Sequence, residues 1–161
     1  MVQEDYELKE SRETKIKSKR DLMNKKILFV CIHNSCRSVM AESIFNAYSK
    51  MWVAESAGVK KAEKIDEMAK KLLEKRGLKV KSKPELLIEK NLDEYEMIIT
   101  VCDEACVTLP FPKPVEKWNI GDPSGKEMEV YMRVFGEIAR KVKDLIERLE
   151  EKNELEKLRT N

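Results

Sequence analysis

Glutamine is nearly missing from this chain: Gln3 is the single one among 161 residues that carry 32 Lys or Arg and 30 Asp or Glu. Charged residues make up 39%, against ~25% in an average domain. Scarce Gln beside abundant Lys and Glu is the proteome-level signal of hyperthermophiles, so a thermophilic origin is expected. A net excess of one sign is also missing. The charges nearly cancel, at +2, which argues against a nucleic-acid binder with its basic face. Long apolar runs are absent too. The longest, Ile27 to Ile32, has six residues, whereas a membrane span needs about 20. The N-terminus carries Glu4, Asp5, Glu7, Lys9 and Glu10 in place of the apolar core of a signal peptide. A cytoplasmic location is therefore expected, with the four cysteines reduced unless they are catalytic, redox-active or metal-bound. Gly121-Asp122-Pro123-Ser124-Gly125-Lys126 lacks the full spacing of a nucleotide-binding P-loop, which excludes that reading.

What is present suffices for one core. Apolar residues reach 42%, and the length fits one domain. Residues 1–24 are charged, without sustained periodicity, and read as a flexible tail. The domain is expected over 25–150, with 151–161 a frayed charged end. Ile27 to Ile32 reads as a strand buried on both faces. Met40, Ala41, Ile44, Phe45 and Tyr48 predict a helix that leaves the following loop near Ser38. Met51 to Ala54 predicts a second strand, closed by Ser56-Ala57-Gly58. Ile65, Met68, Ala69, Leu72 and Leu73 predict a second helix, with Gly77 at its left-handed C-cap. Glu96 to Val101 predicts a third strand and Val115 to Trp118 a fourth, separated by a loop from Cys102 to Pro114 with three prolines. Val130, Val134, Ile138, Val142, Leu145 and Leu149 predict a long last helix. Strands alternating with helices imply an α/β fold, its parallel sheet covered on both faces. Ligands of such sheets bind beyond the carboxyl ends of the strands. Cys31 and Cys102 both lie at such ends.

The loop reads Cys31-Ile32-His33-Asn34-Ser35-Cys36-Arg37-Ser38. A short turn between strand and helix can curl its amides into a nest for an anion, and the helix N-terminus adds partial positive charge. Arg37 can bind two oxygens of a tetrahedral oxyanion with its planar fork. The same field should lower the Cys31 thiol below its free value of ~8.5, giving a nucleophilic thiolate, steadied by a hydrogen bond from Ser38. Asn34 suits a position with positive φ. Cys36 is a small packed residue or a redox backup. His33, the only histidine, is a solvent-facing loop residue without a catalytic role.

Displacement at an oxyanion needs a proton for the departing oxygen. Asp122, restricted to extended backbone by Pro123, is the candidate general acid. Cys102 and Cys106 could be packed thiols, could bind zinc with Cys31 and Cys36, or could be redox resolving thiols; a nearby thiolate favours the last.

Cys31-Ile-His-Asn-Ser-Cys-Arg-Ser-Val-Met-Ala-Glu42 resembles the loop and first helix of thioredoxin-coupled arsenate reductases, which share a fold with low-molecular-weight protein tyrosine phosphatases. The similarity runs through Glu55-Ser56-Ala57-Gly58, Ile99-Thr100-Val101-Cys102 and Trp118-Asn-Ile-Gly-Asp122-Pro123, about residues 26 to 150. It implies a three-layer sandwich with a four-stranded parallel sheet in flavodoxin-like order. It implies that Ile32 to Ser38 bind arsenate, that Cys31 attacks it, and that Asp122 protonates the leaving hydroxyl. Cys102 would then attack the adduct and Cys106 would resolve the disulfide for reduction by thioredoxin. By the same resemblance, no cofactor is tightly bound, and Asn34, Glu42 and Ser56 help hold a monovalent cation behind the loop. Two departures stand out: the Cys102–Cys106 spacing is shorter than the family pattern, and Ser124 follows Asp-Pro where the phosphatases usually carry an aromatic residue. The expected activity is arsenate reduction with a dithiol carrier. The alternatives are hydrolysis of phosphate monoesters, and a zinc- or oxyanion-binding module without turnover.

Overall fold

The computed structural model describes residues 25–102 and 113–160. The N-terminal tail and Cys106 lie outside the described residues. Strand β1 (Lys25–Cys31) is followed by helix α1 (Arg37–Tyr48), β2 (Trp52–Gly58) and α2 (Glu67–Lys75). Two 3-10 turns, Leu87–Glu89 and Leu92–Glu94, lead into β3 (Tyr95–Val101), then β4 (Val115–Trp118) and α3 (Met128–Thr160). The four strands form one parallel sheet in the order β2-β1-β3-β4. This is the doubly wound arrangement that opens a crevice where the winding changes direction, between β1 and β3.

The continuous apolar run of β1 is explained by burial on both faces. Ile27, Leu28, Phe29 and Val30 are all fully buried, but Ile27 and Phe29 join one core while Leu28 and Val30 join another. The first core gathers apolar residues from α1, α2 and α3. Phe29 meets the Phe45 ring edge-on at 5.9 Å and the Trp118 ring at 5.5 Å. The second core is smaller, covered by Leu87 and Leu92 from the segment of 3-10 turns, with Tyr95 at the start of β3. Among the described residues, the sheet's second face is thus roofed by turns. Pro84 and the short Leu86-Leu87-Ile88 cluster leave that segment without a sustained helical period.

Local signals act as expected at two ends of elements. Gly77 has φ +74; the Leu78 amide donates to the Leu73 carbonyl and the Gly77 amide to that of Glu74, which is a Schellman cap. On edge strand β2, the Asn46 side chain donates to and accepts from the Ala54 backbone, tying α1 to the sheet. Helix α3 differs from its expected end. It continues through the charged run to Thr160, where Asn153 is buried and Lys25 pairs with Glu156 at 3.1 Å. No helix among the described residues is long and apolar enough to cross a membrane.

Candidate active site

The site is built where β1 ends. Cys31 is the last residue of that strand and Arg37 the first of α1, so the loop between them is clamped by two rigid elements. Its floor is the end of β2. The amides of Val59 and Lys60 donate to the carbonyls of Cys31 and Ile32, and Ser35 accepts from Asp66. Asp66 in turn caps α2 through Met68 and Ala69 and accepts the Tyr131 hydroxyl at 2.7 Å. The loop is therefore fastened to β2, α2 and α3 together.

Asn34 takes the positive φ expected of it, at 52°, and among the described residues it is the one non-glycine position that does. This turns its amide inward, where it donates to Cys31 Sγ at 3.2 Å. Its side-chain Nδ2 donates to Ser38 Oγ at 2.8 Å, and Ser38 Oγ lies 2.8 Å from Cys31 Sγ. Because Ser38 already accepts from Asn34, its own proton is free to point at the sulfur. Cys31 Sγ therefore has two hydrogen-bond donors aimed at it, the Asn34 amide and the Ser38 hydroxyl. Cys31, Asn34 and Ser38 are all buried, while His33 faces solvent. Cys36 is buried in the main core, and that burial, with Asp66 nearby, pushes its thiol far up. This suits the packed reading of Cys36.

Arg37 reaches across to the segment after β4. Its Nη1 donates to the Ile120 carbonyl at 2.7 Å, and its Nη2 stands 3.9 Å from Asp122 Oδ2. Arg37 is only 4% exposed, but the Asp122 side chain is 45% exposed. Partial burial alone would raise the Asp122 carboxyl. The Ser124 amide and hydroxyl, Arg37 and His33 outweigh it and hold the carboxyl below its ordinary range. Asp122 is thus held as a carboxylate beside a fixed guanidinium.

Cys102 follows β3 and is 4% exposed. It belongs to the same buried cluster as Cys31, one residue beyond the strand whose Thr100 pairs with Val30. Cys102 is disulfide-bonded, whereas Cys31 and Cys36 are free thiols. The three side chains expected around a cation also come together: Ser56 Oγ donates to Glu42 at 3.0 Å, and Asn34 and Ser56 share a neighbour. That neighbour is Lys81, which the sequence did not single out. Gly58 was legible only as a strand end; it lies directly beneath the loop backbone.

Residues 26–155 match the family described as low molecular weight phosphotyrosine protein phosphatase. A glutaredoxin arsenate reductase of Synechocystis sp. is 32% identical over 132 residues, covering 78% of this chain and 98% of its own. The crystal structure of an arsenate reductase from Archaeoglobus fulgidus is 56% identical, with a TM-score of 0.72 over 74% of this chain and 98% of that one. A low molecular weight protein tyrosine phosphatase from T. tengcongensis is 29% identical, with a TM-score of 0.69 over 77% and 99%.

Proposed function

This chain belongs to the low molecular weight phosphotyrosine protein phosphatase family, and within it we propose that the chain reduces arsenate to arsenite. The oxyanion enters the cradle of amides from Ile32 to Ser38, with Arg37 on two of its oxygens. The Cys31 thiolate attacks arsenic; the As–O bond to the departing hydroxyl breaks, and Asp122 supplies the proton that makes it water. The surroundings of Asp122 hold it as a carboxylate, so that proton arrives with the oxyanion. An entering anion repels the Asp122 carboxylate and competes for Arg37, and both effects raise its proton affinity.

The next step needs two electrons. Cys102, as thiolate, attacks Cys31 Sγ; the S–As bond breaks, its electron pair stays on arsenic, and arsenite leaves. A Cys31–Cys102 disulfide remains. Cys106 then attacks Cys102, returning Cys31 to the thiol and handing the disulfide to a thioredoxin-like dithiol carrier. The observation that carries this reading is Cys102: it shares Cys31's buried cluster and is disulfide-bonded while Cys31 is a free thiol. That is the state a relay leaves after passing the bond away from its nucleophile. Such chemistry suits the reducing cytoplasm.

Hydrolysis of a phosphate monoester is the second reading. The phosphatase relative supports it, since the same Cys31, Arg37 and Asp122 would serve with water as the final acceptor. Supplying arsenate, a carrier, its reductase and a reduced nicotinamide tests the proposal, with thioredoxin and glutaredoxin in separate arms. Nicotinamide oxidation that depends on arsenate and on Cys102 is expected. Turnover undiminished in Cys102→Ser would favour the phosphatase reading.

A further inference from the structure

The resemblance pointed to Asn34, Glu42 and Ser56 as holders of a monovalent cation, but the oxygens concerned are already committed to a cation of the chain itself. Lys81 Nζ donates to Asn34 Oδ1 at 2.7 Å and to the Ser56 carbonyl at 2.9 Å, with Ser56 Oγ at 3.2 Å. It pairs with Glu85 Oε1 at 2.9 Å, and its side chain is only 8% exposed. Four oxygens thus surround an ammonium with three protons. An ion bound to the same oxygens would have to sit where Nζ sits and would be repelled by its charge.

We propose that the Lys81 ammonium replaces a bound monovalent cation behind the oxyanion loop, acting as a positioning residue for Cys31. The route is a chain of hydrogen bonds. Asn34 Oδ1 accepts from Lys81 and from the Glu85 amide at 3.0 Å. That fixes the side-chain amide so that Nδ2 faces Ser38, which in turn faces Cys31. Lys81 also answers the charge of Glu42. Burial raises the Glu42 carboxyl, and Lys81 together with the Ser56 hydroxyl works against that rise. A half-buried carboxylate is stabilised by a countercharge beside it, so a cation suits this place. The sequence supplies it covalently, through the segment between α2 and β3. The inference holds whichever oxyanion the loop takes, because it concerns the hydrogen bonds behind the loop and not the oxyanion.

The test uses two readouts on the intact chain: the alkylation rate of Cys31 by iodoacetamide at fixed neutral pH, with the modified residue located by peptide mass, and Tm. Both are measured in potassium chloride and in equal choline chloride. The parent should give the same values in the two salts. Lys81→Met in choline should alkylate Cys31 about 10-fold more slowly, the lower end of what losing an outer-shell partner costs, and melt lower. Potassium should restore most of both losses, a rescue that a merely structural lysine would not permit. Lys81→Arg should retain the parent's indifference to potassium. A parent whose Tm or alkylation rate rises with potassium would overturn the proposal, as would a Lys81→Met protein that alkylates at the parent rate in both salts. Should Lys81→Met not fold in either salt, Lys81→Gln, which keeps polar reach without charge, is read by the same two criteria.

Discussion

A methyl group on Gly58 would stand 2.6 Å from the carbonyl carbon of His33, and only 2.7 Å from the Asn34 amide nitrogen. The end of β2 therefore supports the oxyanion loop by backbone contact, and only glycine permits the approach. Gly58→Ala should cost about 1–3 kcal/mol, the usual scale of overpacking, and should displace the loop enough to remove most turnover. Gly136, inside α3, has nothing within 4 Å of the equivalent position. Gly136→Ala should raise stability by about 0.5–1 kcal/mol through helix propensity. Urea melts of the two variants, read together, check the contrast.

Asp122→Asn should slow the first chemical step by roughly 10²–10³-fold, as for a lost general acid. Oxyanion binding should hold or tighten, since a carboxylate that opposes the entering anion has been removed. Rapid-quench single turnovers with the reduced enzyme separate the two quantities. An unchanged rate would return Asp122-Pro123 to the role of a turn.

Glu55 illustrates how the far side of the sheet responds to pH. Burial would raise its carboxyl, but the Tyr95 hydroxyl, Lys90 and Lys26 outweigh that and lower it from 4.5 to about 2. The sign follows from linkage. A carboxyl with a depressed folded-state value contributes stability above its unfolded value and loses it as pH falls through the folded one. Glu55→Gln should therefore be less stable than the parent above pH 4.5, and the gap should close as pH is taken down through about 2. Denaturant melts of the pair across that window measure it.

Much of this site was legible because its chemistry is local. Cys31, Asn34, Arg37 and Ser38 lie within eight consecutive residues, and strand-to-helix context fixes what such a loop can do. Asp122 was legible through Pro123, and the four strands through their apolar runs. Lys81 was not, because nothing beside it in sequence signals a role; its partners Asn34 and Ser56 are brought to it by the parallel pairing of β1 with β2. The role of Gly58 was hidden for the same reason, since its neighbour is a loop 24 residues earlier in sequence at Asn34. The length of α3 escaped because a charged run reads as a solvated end, while in the fold Lys25 on β1 pairs with Glu156 of that run.

The central claim is that arsenic takes its two electrons from Cys31 and Cys102. One turnover of fully reduced Cys106→Ser protein, given arsenate and no carrier, tests it most directly. The account expects about one arsenite per chain and, by peptide mapping, a disulfide joining Cys31 to Cys102 that blocks a second turnover. Arsenite formed without that disulfide, or with Cys31 joined to Cys36 instead, would contradict it.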